Sequence, residues 1–142
     1  MSLLLDTKVL CELRKGVRAH PQVRRWSQIN LDRPQSISVL SIGEICDGIV
    51  RVRIRDLAQG DALERWLVRV RREFDGAILP VTEEIAERWG RVCRGQTLPP
   101  VDALIAATAL VHDLTVATRN VRDFKRCGVP VVNPFEENAA HG

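Results

Sequence analysis

Short, nearly uninterrupted apolar runs alternate with longer amphipathic ones along this chain, and that alternation most narrows the folds open to it. "SLLLD" (residues 2–6) has no polar face, so as a strand ending at Asp6 it must be covered on both sides, the condition of a parallel sheet between helices. "SISVL", "AILPV", "LTVAT" and "VPVVN" read as further strands. Between them lie segments of helical spacing. "TKVLCELRKG" stops at Gly16, and "SIGEICDGIVRVRIR" starts at Ser41. "GDALERWLVRVRREF" puts Leu63, Trp66, Leu67, Val70 and Phe74 on one face, three and four residues apart. "TEEIAERWGRVCRG" is capped by Thr82, buries Ile85, Ala86, Trp89 and Val92, and closes at Gly95. "PPVDALIAATAL" is an apolar helix, and "NVRDFKRCG" a turn or short helix. The pattern predicts an α/β domain with a largely parallel sheet.

At 142 residues the chain has room for one core, and it shows no repeat, linker or composition break. One domain over residues 1–142 is expected, with a frayed tail from about 136 to 142. No apolar run approaches a membrane span, and the start "MSLLLDTKVL" lacks a basic segment and a small-residue cleavage site. A cytoplasmic protein that does not engage membranes is expected. Cys11, Cys46, Cys93 and Cys127 form no C-x-x-C pair and have no neighbouring histidine, so reduced thiols are expected rather than zinc.

Parallel strands with right-handed crossovers align their carboxyl ends along one edge, where such sheets bind ligands. Asp6 follows the first strand, Glu44 lies early in the helix after the second, Asp102 opens the apolar helix, and Asn120 and Asp123 follow "LTVAT". Each carboxylate also has an ordinary structural reading. Asp6 suits a helix cap, Ser41 and Glu44 match a capping box, Asp102 follows Pro99 and Pro100 at a helix start, and Asp123 suits a turn.

Their coincidence at one edge has an electrostatic consequence. Like charges about 4 Å apart repel by roughly 1 kcal/mol in water and about 4 at an effective dielectric near 20. A tight acidic cluster therefore needs protons or a cation. Oxygen donors alone suit Mg2+ or Mn2+ and phosphate substrates, and such ions lower the pKa of water and stabilise a leaving oxygen. With the four acids set aside, 14 acids remain against 21 bases, 18 of them arginine. An acidic pocket in a basic surround suits a nucleic-acid backbone.

The segments "LLLDTKVLCELRK", "SVLSIGEICDGI", "AILPVTEEIAERWG", "LPPVDALIAATALVHDLTVATRNVRDF" and "GVPVVNPF", in this order and over nearly the whole chain, resemble PIN-domain ribonucleases of the VapC toxin type, in the FitB-like branch. The resemblance implies a five-stranded parallel sheet between helices and a pocket for Mg2+ or Mn2+. It makes Asp6, Glu44, Asp102 and Asp123 the acidic quartet, with Asp6 and Asp102 as direct ligands and Glu44 and Asp123 acting through water. Thr118 and Asn120 match the polar positions of the "TRN" segment. Where the family commonly has Asn after "DT", this chain has Lys8.

The activity so implied is metal-dependent hydrolysis of RNA, leaving a 5′-phosphate and a 3′-hydroxyl. Arg119, Arg122, Lys125, Arg126 and Lys8 are the expected phosphate contacts. The chain has no tyrosine and three phenylalanines, so few platforms for stacking bases are expected. The resemblance also implies a homodimer and a small antitoxin whose C-terminal segment covers the acidic pocket, with operator DNA reached only through that complex. Two other readings compete: a non-catalytic, nuclease-like subunit of a DNA-binding repressor complex, and a phosphatase with an aspartate nucleophile at "LLLDT". The second usually wants another acid two residues on, where Lys8 stands.

Overall fold

Leu3, Leu4 and Leu5 have no exposed surface, and successive members face opposite cores. They form strand β1 (Leu3–Leu5), the centre of the sheet in a computed structural model that describes residues 2–93 and 98–137. Side chains alternate across a strand, so Leu3 and Leu5 enter one apolar cluster and Leu4 the other. A strand covered on both sides has no use for a polar position.

The element order is β1, α1 (Thr7–Leu13), a 3-10 turn at Gly16–Arg18, α2 (Pro21–Ile29), β2 (Gln35–Ser38), α3 (Val39–Arg53), α4 (Leu57–Glu73), β3 (Ile78–Leu79), α5 (Glu83–Val92), α6 (Pro100–His112), β4 (Thr115–Ala117), α7 (Val121–Arg126) and β5 (Val131–Val132). The five strands run parallel in the order β3-β2-β1-β4-β5. This is the five-stranded α/β sheet that the sequence resemblance implies. One core joins Trp26 of α2, Ile45 and Ile49 of α3, and Trp66, Leu67 and Val70 of α4 to Leu3 and Leu5. The opposite core joins α6 and Phe124 of α7 to Leu4 and Val116.

Several local expectations change. Residues 17–34, left unassigned by the run pattern, include α2, which starts at Pro21 with His20 as its cap. Helix α3 begins at Val39, two residues before Ser41. Its cap is Ser38, whose side chain accepts from the Leu40 amide at 3.0 Å, so the capping box at Ser41 does not form. Helix α4 starts at Leu57, capped by Asp56, and its apolar stripe is core as expected, with Leu63 at the margin. Thr82 does cap α5, accepting from the Ile85 amide at 3.2 Å, yet of the four residues assigned to its buried face only Ile85 is enclosed. Ala86, Trp89 and Val92 are exposed: α5 packs on α6 with Ile85 enclosed, and the rest of its apolar stripe stays outside. Gly95 and residues 138–142 of the expected frayed tail lie outside the described residues. Cys93 and Cys127 are buried and Cys11 and Cys46 partly so, all as free thiols. Among the described residues no helix is long and apolar enough to cross a membrane.

Candidate functional site

Because β1 and β4 pair in parallel, the residues just past their ends, Asp6 and Thr118, arrive side by side. Asp6 is 7% exposed and Thr118 fully buried. The Thr118 hydroxyl donates to Asp6 Oδ2 at 2.8 Å and accepts from the Asn120 amide at 3.0 Å, while Asp6 Oδ1 accepts from the Thr7 amide at 2.8 Å. Asp6 thus caps α1 and stands in the site at once. Burial pushes its carboxyl above the ordinary value of 3.8, against the pull of the Thr118 and Thr7 hydrogen bonds and of the Lys8 charge.

The second carboxylate is fixed by the hydroxyl of Thr7, which the sequence reading did not single out, backed by that of Ser41. Thr7 Oγ1 donates to Glu44 Oε1 at 2.6 Å and lies 2.7 Å from Ser41 Oγ. A hydroxyl has one proton, so with Thr7 donating to Glu44 it is Ser41 that donates to Thr7. Ser41, read from sequence as half of a capping box, instead braces Glu44 through Thr7. The sequence carried a partial signal: three residues separate Ser41 and Glu44, which places them on one helical face.

Asp102 lies in the first turn of α6, whose cap position, Pro99, offers no side-chain hydrogen bond. Burial raises its pKa to about 6, with further upward pressure from Asp6, Glu44 and Asp123 and only Lys8 opposing. Asp6, Glu44 and Asp102 line a cavity of about 500 Å3 together with Thr7, Lys8, Arg119 and Asn120. Asp123 lies outside that lining, near enough for its charge to act on Asp102, and it meets Arg126 at 3.9 Å. Arg122 and Lys125 share α7 with it and are exposed. These three α7 cations do not line the cavity, whereas Lys8 and Arg119 do.

The donor set suits a hard divalent cation. Three carboxylates from distant elements meet in one cavity, none of them in an ion pair among the described residues, and two are held by hydroxyl and amide donors. Among the described residues no three His, Cys, Asp or Glu side chains stand close enough together to hold a metal ion as they are. Like charges gathered around one cavity repel, and a cation would relieve that repulsion.

Removing the Thr118 hydroxyl deprives the buried Asp6 carboxylate and the part-buried Asn120 amide of this partner. Thr118→Val is expected to lose about 1–3 kcal/mol of stability in urea unfolding, with Thr118→Ser losing less than half as much. A larger loss in Thr118→Ser than in Thr118→Val would show that the methyl group, not the hydroxyl, carries the effect.

The PIN domain family model matches residues 3–129. The chain belongs to the PIN domain family. Among its relatives, toxin FitB of Neisseria gonorrhoeae is 29% identical over 142 residues, 95% of this chain and 99% of FitB. Ribonuclease VapC10 of Mycobacterium tuberculosis is 34% identical over 128 residues, 86% of this chain and 85% of VapC10. The crystal structure of FitAcB from Neisseria gonorrhoeae superposes with a TM-score of 0.82 at 29% identity, covering 94% of this chain and 99% of that one. Asp6, Glu44, Asp102 and Asp123 all fall within the matched residues.

Proposed function

We propose that this PIN-domain chain is the toxin of a toxin–antitoxin pair and a Mg2+- or Mn2+-dependent endoribonuclease. The observation that carries the reading is the convergence of Asp6, Glu44 and Asp102, without ion-pair partners among the described residues, on one cavity at the carboxyl edge. The names of its relatives, toxin FitB and ribonuclease VapC10, point the same way. Asp6 and Asp102 would hold the ion directly, with Glu44 and Asp123 reaching it through water. Bound there, a divalent ion supplies positive charge at the scissile phosphate and acidifies the attacking water.

This chain's own residues supply the frame. Thr118 fixes the Asp6 carboxylate, and Thr7, braced by Ser41, fixes Glu44. Asn120 lines the cavity and makes no capping bond with its side chain, which leaves that amide to steady a carboxylate or a metal-bound water. Lys8 and Arg119 sit at the rim and offset the charge of the entering backbone. Hydrolysis leaves a 5′-phosphate and a 3′-hydroxyl. The partner in this reading is a small antitoxin whose C-terminal segment covers the cavity, an arginine on it pairing with the carboxylates in place of the cation. The working form is a homodimer, for which exposed Trp89 and Val92 on α5 offer apolar surface, and operator DNA is met only through the antitoxin complex.

End-labelled RNA, including tRNA, incubated with purified protein is expected to be cut in Mg2+ or Mn2+ and left whole in EDTA. Full protection in all three conditions, with antitoxin-free protein, would favour the non-catalytic DNA-binding subunit.

A further inference from the structure

We infer that a cationic trough along α1, opening from the acidic cavity, carries the phosphates of the RNA strand on one side of the cut; the inference rests on the ribonuclease reading above. A second cavity, of about 290 Å3, adjoins the first and shares Lys8 and Arg119 with it. Its wall adds Arg14, Lys15, Glu12 and Phe135. Four cations there face one carboxylate, and that carboxylate is engaged: Glu12 accepts from Lys15 Nζ at 3.1 Å and from the His20 amide at 3.0 Å. The Lys15–Glu12 pair is a surface contact, easily exchanged for a phosphate. Lys8, Arg14 and Arg119 make no ion pair among the described residues.

The two arginines are held in place by aromatic rings. The Arg119 guanidinium lies 4.4 Å from the centroid of Phe135, whose flank meets the His20 ring at 5.4 Å, and Arg14 sits 5.9 Å from the Trp66 ring. A guanidinium stacked on a ring keeps its edge donors available, so the fork is pre-organised for a phosphate. Phe135 is thereby occupied by Arg119 and His20 and is not open to a base. The trough therefore recognises a backbone, not a sequence. Lys8 and Lys15 are seven residues apart in nearly continuous helical backbone, about 10 Å along its axis, so the trough engages more than one phosphate. The α7 cations, which the sequence suggested for this task, line neither cavity.

The test reads binding, so that it stands apart from cleavage. In an Asp102→Asn background with Mg2+, the fluorescence anisotropy of a short, labelled single-stranded RNA of mixed sequence is titrated at several salt concentrations. Arg14→Gln/Lys15→Gln is expected to bind roughly tenfold more weakly, and its slope of log affinity against log salt should flatten by about 1.4. Lys15→Gln alone, which leaves the Trp66 contact in place, should flatten it by about half as much. The charge-matched control Arg71→Gln/Arg72→Gln, on exposed positions of α4, should bind as the background does. Unchanged affinity and slope in the α1 variants would overturn the trough. So would RNA affinity that holds while polyglutamate binding is lost, which would give the surface to an acidic protein segment. Wild-type protein that binds RNA through the trough but never cuts it would count against the ribonuclease reading alone.

Discussion

Asp102→Asn is expected to abolish metal-dependent RNA cleavage, by at least about 100-fold, while making the metal-free protein more stable at neutral pH. The first effect follows from the proposed role of Asp102 as a direct ligand, since losing about 3 kcal/mol of transition-state stabilisation slows a reaction by about that factor. The second follows from the environment of the carboxyl group. In the unfolded chain Asp102 ionises near 3.8, and in the fold at about 6, because burial and the charges of Asp6, Glu44 and Asp123 oppose ionisation. Below pH 3.8 the group is protonated in both states and has no effect on stability. As pH rises toward 6 the unfolded chain gives up its proton first, so stability falls, and above 6 the full cost is present. That cost is about 3 kcal/mol at most, and about 1–2 once the water reaching the open cavity is counted. Urea midpoints in EDTA at pH 5 and pH 8 check this. The wild type should lose more stability than Asp102→Asn between the two, and Mg2+ should return part of the loss to the wild type alone. Parallel pH profiles for the two proteins would show that Asp102 is not held in an anionic neighbourhood.

Phe124→Ala is expected to have the largest effect on stability, about 3–5 kcal/mol. Phe124 is fully buried in the core beneath α6, and it is the one buried residue of α7. A helix of six residues does not form by propensity alone, so α7 owes its place to this anchor. The same substitution should lower RNA cleavage, because Asp123 precedes Phe124 directly and acts on Asp102 only while α7 is docked. Phe124→Leu, which fills most of the volume, should cost less than about 1.5 kcal/mol and keep the activity. Urea unfolding and cleavage measured on both variants check this. If Phe124→Ala left both properties intact, the anchoring role would be refuted.

How far the sequence carries depends on the range over which each feature is decided. Leu3, Leu4 and Leu5 announce a strand covered on both faces, and the 3.6-residue stripe of Trp66, Leu67, Val70 and Phe74 announces its helix, because burial writes itself into local spacing. The stripe of α5 misleads for the same reason. Periodicity records which face is apolar, not whether a neighbour is wide enough to cover it, and Trp89 stays 41% exposed. The Ser41–Glu44 spacing was legible and its use was not, since one pattern serves a capping box in one register and a side-chain bridge to α1 in another. Two residues decide which, and the end of β2 at Ser38 sets that register.

By itself the sequence determined the alternation of strand and helix, the single α/β layer order, the positions of four acids near strand ends or helix starts, and the excess of arginine around them. These follow from composition and short-range period, which a chain carries before it folds. Only the tertiary structure decided which acids share a cavity, that Thr118 and Thr7 are the hands that hold them, and that the cations beside them come from α1 and Arg119 and not from α7. Contacts such as Thr118 to Asp6, 112 residues apart, depend on the parallel register of β1 with β4, and no local pattern encodes a register set by two packed cores.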